Sequence, residues 1–211
     1  GDWMIAKAFE LAARNSTHSG QLVALLAGAM QETCSGQIAD IDQRMYAPIS
    51  DWQRIAKNKT APLLIAPIKG AAICAGLDSH ARNIDALVEF CGLAYQGRND
   101  IDDIVPSSHL SSDLHGRKPN LVVSIFANLE TTDIQAFKQW YCSIDQHQTN
   151  IWQKRIASSE AILHANQRVE SWLAQAENLI PNIPHQLQPV TKRLIFSVKP
   201  PKTQQHQEQS A

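Results

Sequence analysis

The sequence predicts an all-α protein, a bundle of long helices, and three observations carry that prediction. Apolar residues recur with the 3.6-residue period of an amphipathic helix along most of the chain, whereas the two-residue alternation of a half-buried strand is nearly absent. No strand–turn–strand pattern and no internal repeat is found. The chain has 211 residues, of which 44% are hydrophobic, and a net charge of -1, which suits a folded domain with a substantial core.

Two helices are predicted in the first part of the chain. Apolar residues within residues 3–12 form one helical stripe, and residues 15–20 are rich in capping and turn residues, as in a loop. Residues 22–42 then form a long Ala- and Leu-rich helix that is apolar nearly all round at its start, so we expect it to be buried on most sides. Ser50 or Asp51 is positioned to cap the next helix.

Two prolines interrupt the next apolar stretch. Pro62 and Pro67 lie within a helical pattern, where a proline removes one backbone hydrogen bond and clashes with the carbonyl group four residues earlier. We therefore expect this helix to kink or restart close to Lys59 and Thr60. A further helix is predicted over residues 80–105, ended by a proline.

The second half of the chain continues the helical pattern after a polar loop over residues 107–119. Three further helices are predicted, over residues 121–129, 132–179 and 185–197. The longest of them is expected to break near Ser158 and Ser159. The last residues carry almost no apolar side chains, so we expect one helical domain over residues 1–197 and a disordered tail over residues 198–211.

Composition argues against several classes of protein. A near-neutral charge disfavours binding to nucleic acid by bulk charge, since phosphate neutralisation needs a basic surface. No apolar stretch reaches the ~20 residues of a transmembrane segment, and the first residues lack the pattern of a signal peptide. No histidine pair has zinc-site spacing. The cysteines form no C-x-x-C pair and are interpreted as core residues of a protein in a reducing, cytoplasmic compartment. They are Cys34, Cys74, Cys91 and Cys142.

The most informative polar stretch lies at the end of the helix over residues 80–105. Asn99 and Asp103 are four residues apart and stand on one helical face, with Asp100 beside them and Gln96 one turn earlier. Carboxylate and amide oxygens at this spacing are ligands that Mg²⁺ prefers. The alternative is an acidic helix end in solvent, and both interpretations stay open on these residues alone.

Two shorter clusters carry similar alternatives. Lys59 and Thr60, at the expected kink, either contact an anion in a cavity or extend to the surface. Gly36, Gln37 and Asp40 interrupt an apolar helix, and glycine there is less favourable than alanine by up to ~1 kcal/mol. Close packing or a nearby ligand would explain the glycine; alternatively, the helix ends at this point and Asp40 lies in solvent.

A fourth cluster, with two adjacent cations, follows the acidic helix. Arg117 and Lys118 stand in a loop between His115-Gly116 and Pro119. These cations either bind an anionic group or belong to an ordinary basic loop.

Taken in order, the four clusters make the sequence resemble the trans-isoprenyl diphosphate synthases, the polyprenyl synthetase family. That family carries G-Q-x-x-D, then K-T-x-x-L, then F-Q-x-x-D-D-x-x-D, and a loop ending in G-K-x-T-L-P. The corresponding segments here are residues 36–40, 59–63, 95–103 and 117–121. Residues 1–9 also resemble the family's G-D-x-L-L-x-x-A-F, so the resemblance covers about residues 1–197.

The resemblance implies an isoprenoid-synthase-type helical bundle and a prenyltransferase that condenses an allylic diphosphate with isopentenyl diphosphate. It implies that Mg²⁺ assists ionisation of the allylic substrate, with Asn99, Asp100 and Asp103 as metal ligands. Lys59, Asp100 and Lys118 would be the catalytic residues, and the two lysines would hold the allylic diphosphate. By the same resemblance, the residues that bind substrate would be Gln37, Asp40, Lys59, Thr60, Gln96 and Lys118.

Several positions depart from the family pattern. Asn99 stands in place of an aspartate, which should weaken metal binding, Arg117 in place of a glycine and Asn120 in place of a threonine. The family's first aspartate-rich motif and its isopentenyl-binding basic residues have no counterpart in this sequence. The sequence is therefore expected to hold one wall of the cavity. It is then either a processed, trimmed or partial form of a longer protein or a short chain that acts beside a partner.

Two other functions stay open at this stage. A related enzyme would pass the prenyl group to a different acceptor, such as a peptide, and a regulatory subunit would assist a catalytic partner without catalysis of its own. A homodimer or heterodimer is expected because members of the family usually dimerise through helices. The apolar residues 22–30 are one candidate interface.

Overall fold

The structure, a computed structural model, describes residues 1–42, 48–105, 110–129, 134–143 and 147–199, apart from the side chain of Asp78. Within these ranges the chain forms α-helices and short 3-10 turns without a strand, which confirms the all-α prediction. The helices are α1 Asp2–Ala13, α2 Ser19–Asp42, α3 Ile49–Cys74, α4 Ala81–Ile104, α5 Ser112–Gly116, α6 Leu121–Phe126, α7 Ile134–Tyr141, α8 Thr149–Ala157, α9 Glu160–Leu179 and α10 Gln188–Val198. The 3-10 turns are Asp78–His80 and Ile180–Asn182.

Helix α2 has the predicted extent but not the predicted burial. It packs along α3 and contacts α1. Between residues 22 and 30, the buried side chain is that of Ala29, and the others are half-buried or exposed. The expectation that this helix is buried on most sides is therefore wrong, because its neighbours cover only part of its apolar circumference.

Helix α3 runs through both prolines without interruption, so the expected restart at residues 59–60 does not occur. Pro62 is buried, and buried side chains lie on both sides of Pro67, at Ala66 and Ile68. Packing of α3 against α2 and α4 therefore continues along its length. This packing offsets the roughly 3 kcal/mol that a proline in a helix interior costs.

Helix α4 packs against α3 and α9 in the centre of the core. Its wholly buried side chains are Ile84, Leu87, Val88, Cys91, Ala94 and Ile104. Trp52 of α3 stacks on Trp172 of α9 with ring centroids 5.7 Å apart. Helices α4 and α9 also approach each other closely at Gly97, where a Cβ would lie only 2.9 Å from Cγ2 of Val169. The polar residues at the end of α4 are thus held by a tightly packed helix.

The C-terminal half contains more and shorter helices than predicted. The predicted polar loop contains the short helix α5, and the pattern over residues 132–179 forms α7, α8 and α9. Helix α10 extends to Val198, which is buried. Residues 43–47, 106–109, 130–133, 144–146 and 200–211 lie outside the described residues, and they include the predicted tail beyond Lys199.

Helix capping confirms one sequence prediction and overturns another. The break between α8 and α9 at Ser158 and Ser159 is confirmed, and the Ser159 hydroxyl caps α9 by accepting from the N–H of Ala161 at 3.3 Å. Neither Ser50 nor Asp51 caps α3, because that helix already begins at Ile49 and its N-terminus has no side-chain cap.

Helices α2 and α3 approach each other closely at Gly36. A Cβ at this position would lie 2.4 Å from the backbone nitrogen of Lys59 and 2.6 Å from the carbonyl carbon of Asn58. Because α2 continues beyond Gly36 to Asp42, the helix-end explanation of this glycine is wrong and close packing is correct. The contact brings Asp40 of α2 beside Lys59 of α3.

The substitution Gly36→Ala should force α2 away from α3, since the added methyl group would overlap backbone atoms that cannot rotate away. We expect the free energy of unfolding to fall by about 1–3 kcal/mol, the usual cost of overpacking. Gly28 of the same helix is the control, because a Cβ there would meet nothing within 4 Å. Gly28→Ala should be neutral or stabilising by up to about 1 kcal/mol. Urea unfolding measures both, and equal stabilities would contradict the close contact.

The prediction that all the cysteines belong to the core is wrong. Cys91 is buried, but Cys34, Cys74 and Cys142 are exposed on the outer sides of their helices or just after a helix. All four thiols are free. Among the helices described, none combines the length and apolarity that a membrane span requires.

Candidate active site

Lys59 and Asp40 form an ion pair between α3 and α2. The distance from Nζ to Oδ1 is 3.0 Å, and only 18% and 11% of the two side chains are exposed. Water screens a pair with so little exposure only weakly, so the carboxylate holds the ammonium group in a defined position. The alternative in which Lys59 extends into bulk solvent is therefore not the arrangement adopted.

Lys118 follows α5 in a turn whose backbone is bonded on both sides. Its N–H donates to the carbonyl oxygen of Asp113 at 2.9 Å, and its own carbonyl oxygen accepts from the Tyr141 hydroxyl at 3.0 Å. Burial raises the pKa of Tyr141, so this hydroxyl stays protonated and remains a donor. The side chain of Lys118 is exposed. A fixed backbone therefore presents a cation that is accessible to a ligand.

Asp100 is buried, with 1% of its surface exposed. Its Oδ2 accepts from the indole N–H of Trp52 at 2.7 Å and from the backbone N–H of Leu121 at 2.6 Å, and its Oδ1 accepts from the Gln96 amide at 3.0 Å. The carboxylate thereby joins α3, α4 and the first residue of α6. In this arrangement Asp100 links three helices and does not face an open site.

Burial raises the pKa of Asp100 to about 7, although hydrogen bonds from Leu121, Gln96 and Trp52 oppose the rise. An unfolded aspartate has a pKa of about 3.9, so the folded protein binds one more proton than the unfolded chain between pH about 4 and about 7. This contribution to stability is complete below the unfolded pKa and is lost as the pH rises through the folded one.

Wild-type protein should therefore gain stability relative to Asp100→Asn as the pH is lowered from about 8 to about 5, because the variant lacks the titrating group. Urea unfolding of both proteins across this range is the measurement. A stability difference that does not change with pH would show that the carboxyl group keeps an ordinary pKa.

Asp103 caps the first turn of α5. Its Oδ1 accepts from the backbone N–H and the hydroxyl of Ser112, each at 3.0 Å. Its Oδ2 accepts from the Ser111 hydroxyl and from the N–H of Asp113, the latter at 3.2 Å. Because a carboxylate offers about four lone-pair positions, these four donors use all of them.

Asn120 connects the predicted acidic helix to the turn that carries Lys118. Its side-chain nitrogen donates to Oδ2 of Asp113 at 3.1 Å and to the carbonyl oxygen of Asp100 at 3.2 Å. Its Oδ1 accepts from the N–H of Val122 at 2.9 Å and so caps α6. At this position the side-chain amide supplies both a cap and two donated hydrogen bonds.

Asp113 belongs to the site, although sequence reasoning gave it no role. Burial and the negative charge of Asp103 raise the pKa of Asp113, while the hydrogen bond from Asn120 and the charges of Lys118 and Lys59 lower it. The charges of the two predicted lysines, which belong to different elements, thus both act on this carboxylate. The sequence signal for Asp113 is its position in the predicted polar loop, a few residues before the two cations Arg117 and Lys118.

The remaining predicted site residues are exposed or half-buried. Gln37 and Asn99 are exposed, Thr60 is half-buried, and Gln96 is half-buried and bonded to Asp100. The structure bonds Gln96 to Asp100 one turn further along α4 and leaves Asn99 open to solvent.

The three predicted metal ligands differ in how open their oxygen atoms are. Mg²⁺ needs oxygen atoms with free lone pairs, whereas the carboxylate of Asp100 is buried and bonded and that of Asp103 is fully used in capping. Of the three, Asn99 is the exposed one. In the part of the chain that the structure describes, no group of three or more His, Cys, Asp or Glu side chains is placed to hold a metal ion.

The fold and these motifs together define an isoprenyl-synthase-type helical protein. The family model described as polyprenyl synthetase matches residues 1–157, about three quarters of the chain. The chain therefore belongs to the polyprenyl synthetase family.

Two relatives illustrate the similarity in sequence. The short chain isoprenyl diphosphate synthase of Methanocaldococcus jannaschii is 28% identical over 134 residues, which cover 58% of this chain and 40% of the relative. The farnesyl diphosphate synthase of Haemophilus influenzae is 32% identical over 114 residues, covering 49% of this chain and 39% of the relative. The matched region spans about two fifths of the length of these relatives.

Solved structures show the same fold at lower identity. Geranylgeranyl pyrophosphate synthase from Lactobacillus brevis superposes with a TM-score of 0.78 at 18% identity, over 93% of this chain and 64% of that protein. Octaprenyl pyrophosphate synthase from Helicobacter pylori gives a TM-score of 0.75 at 20% identity, over 93% of this chain and 68% of that protein. Nearly the whole chain thus follows the fold, while about a third of each solved protein has no equivalent in it.

Proposed function

We propose that the protein acts as an isoprenyl diphosphate synthase, which condenses an allylic diphosphate with isopentenyl diphosphate. The observation that carries the proposal is that Asp40 holds the Lys59 ammonium group at 3.0 Å while a turn with a fixed backbone presents Lys118, in a chain of the polyprenyl synthetase family. Two ammonium groups from different elements suit a ligand with several negative charges, such as a diphosphate, because lysine binds phosphate as a compact point charge.

In the proposed reaction, the allylic C–O bond breaks and its electron pair leaves with pyrophosphate. The double bond of isopentenyl diphosphate then forms a new C–C bond to the allylic carbocation, and loss of a proton restores a double bond. The ammonium groups of Lys59 and Lys118 would stabilise the negative charge that grows on the leaving pyrophosphate. The ion pair with Asp40 would keep Lys59 oriented before the substrate binds. Gln37, Thr60 and Gln96 would line the allylic side.

A Mg²⁺ requirement remains part of the proposal on the basis of family membership. Mg²⁺ bound with a diphosphate supplies Lewis-acid neutralisation of the leaving group. Within the described site, the side chain of Asn99 is exposed, whereas Asp100 and Asp103 are engaged in hydrogen bonds with the protein. Calorimetric titration of Mg²⁺ with and without inorganic pyrophosphate would measure this requirement.

The test of the proposed function has a binding arm and a turnover arm. The 211-residue chain should bind inorganic pyrophosphate, and Lys118→Ala should weaken that binding at least about 10-fold, as expected for loss of a charge-assisted contact. The product of the complete gene, incubated with Mg²⁺, an allylic diphosphate and labelled isopentenyl diphosphate, should yield a longer isoprenyl diphosphate. Binding of pyrophosphate without any elongated product would instead favour a regulatory subunit.

Neither alternative function is favoured by the relatives, which are named isoprenyl and farnesyl diphosphate synthases.

We further propose a dimer formed through residues 22–30 of α2, where most side chains are only half-buried. A cytoplasmic location is proposed from the free thiols and the enzyme class. Sedimentation velocity of the purified chain would measure the oligomeric state.

A further inference from the structure

The turn before Lys118 has an unusual backbone conformation. Arg117 has a φ of 53° and a ψ of 38°, and among the described residues it alone combines a side chain with a positive φ. This left-handed conformation is strained for a residue with a Cβ and persists where surrounding contacts hold it in place. Glycine is the residue that adopts it freely, and glycine is what the related family pattern has at this position.

The guanidinium group of Arg117 makes the contacts that hold this turn. Its Cζ lies 3.9 Å from the centroid of the Trp140 ring and 5.3 Å from that of Tyr141. One of its nitrogen atoms, Nη1, donates to the carbonyl oxygen of Leu114, the last buried residue of α5. The arginine therefore ties the end of α5 to the aromatic face of α7, through a cation–π contact and a hydrogen bond.

Tyr141, one of the two aromatic residues beside Arg117, also holds the backbone of Lys118. Tyr141, which lies against Arg117, donates its hydroxyl hydrogen to the carbonyl oxygen of Lys118. The side chain of Lys118 folds back over Gly116, where a Cβ would lie 3.4 Å from the lysine Cε. The position of the Lys118 ammonium group thus depends on the turn that Arg117 and Tyr141 hold.

We propose that Arg117 is a positioning residue: held against Trp140 and the Leu114 carbonyl, it fixes the left-handed turn that directs Lys118 toward the diphosphate. The proposal rests on the proposed function in one respect, namely that Lys118 binds the diphosphate. Arg117 acts through Lys118 and does not itself contact the ligand, because its guanidinium group is engaged with the aromatic ring and a backbone carbonyl.

The variant Arg117→Gly tests this role, since glycine accepts the left-handed backbone and the contacts of the arginine side chain are lost without new backbone strain. We expect the dissociation constant for inorganic pyrophosphate to rise about 5–10-fold in this variant and less than about 2-fold when Lys118→Ala is already present. Arg155→Ala is the matched control. Cζ of Arg155 lies 5.0 Å from the centroid of the Trp152 ring, but Arg155 belongs to α8 and not to the turn that carries Lys118. Its affinity for pyrophosphate should equal that of the wild type.

Tyr141→Phe provides a second variant that keeps the aromatic ring and removes only the hydroxyl group bonded to Lys118. It should show the same dependence on Lys118. An equal loss of affinity with and without Lys118→Ala would overturn the proposal, since it would mean that Arg117 acts on the ligand directly or through general destabilisation. Unchanged affinity in Arg117→Gly would also overturn it.

A measurement without ligand separates this proposal from the proposed function. Hydrogen exchange at the Lys118 amide should be at least about 10-fold faster in Arg117→Gly than in wild type or Arg155→Ala, because the turn opens more often when its anchor is lost. Unchanged exchange would overturn the positioning role even if pyrophosphate binds. If wild-type protein does not bind pyrophosphate, the proposed function fails, and faster exchange would still support the anchoring of the turn.

Discussion

Replacing Asp100 with alanine should lower the free energy of unfolding by about 4 kcal/mol at neutral pH, the largest loss of stability expected from one substitution in this site. The carboxylate accepts from the indole N–H of Trp52 and the backbone N–H of Leu121, both of which are buried. Each buried donor left without a partner costs about 1–3 kcal/mol, and the link between α3, α4 and α6 is lost with it. The amide of Gln96 would lose its partner as well, but it reaches solvent.

Two other substitutions on α4 make this expectation specific. Asp102 is exposed on the same helix, and Asp102→Ala should change stability by less than about 0.5 kcal/mol. Asp100→Asn preserves the shape and one acceptor oxygen, so its loss should be smaller than that of the alanine variant. Urea unfolding followed by circular dichroism is the measurement. If Asp100→Ala proved as stable as wild type while binding less metal, the carboxylate would be a ligand rather than a link between helices.

Replacing Lys59 with alanine should reduce turnover of the complete enzyme at least about 100-fold, the scale expected when a preorganised group that stabilises developing charge is removed. The ammonium group is mostly buried, and Asp40 holds it in position. The proposed action of this group on the leaving pyrophosphate would therefore need little reorganisation. The measurement is steady-state formation of isoprenyl product, together with the dissociation constant for inorganic pyrophosphate of the 211-residue chain.

Lys57 offers a matched control on the same helix. It pairs with Glu89 at 2.8 Å and is 45% exposed, so Lys57→Ala should leave both turnover and pyrophosphate binding close to wild type. Lys59→Ala also leaves Asp40 without its partner, and Lys59→Ala combined with Asp40→Asn would remove that second effect. Recovery of turnover in the double variant would assign the loss to the unpaired carboxylate and contradict a role for Lys59 in catalysis.

Much of the architecture is predictable from local patterns. Helical periodicity predicted α1, α2, α4 and the break at Ser158 and Ser159, because each depends on side-chain spacing and local capping within a few residues. The order of the motifs points to Lys59 and Lys118, and the charges of both lysines act on Asp113. Gly36 was marked as unusual within a helix, and its close contact with α3 explains it.

Tertiary structure alone decided how the polar residues of α4 are used. Helical spacing places Asn99, Asp100 and Asp103 near one face, but it does not reveal which neighbouring groups will meet them. The Trp52 indole and the Leu121 N–H, both far away in sequence, enclose Asp100, and the start of α5 occupies Asp103. Whether a carboxylate faces solvent, a metal or buried donors depends on elements that pack from elsewhere in the chain.

The sequence by itself therefore determined the all-helical fold, the family motifs and the two lysines, since these follow from periodicity and from the order of residues along the chain. Only the tertiary structure decided that α3 passes through its prolines, that α2 keeps much of its apolar surface open, and that Asp100 links helices. The physical reason is that burial and hydrogen-bond partners are supplied by distant segments. Their packing outweighs local preferences such as the cost of a proline in a helix.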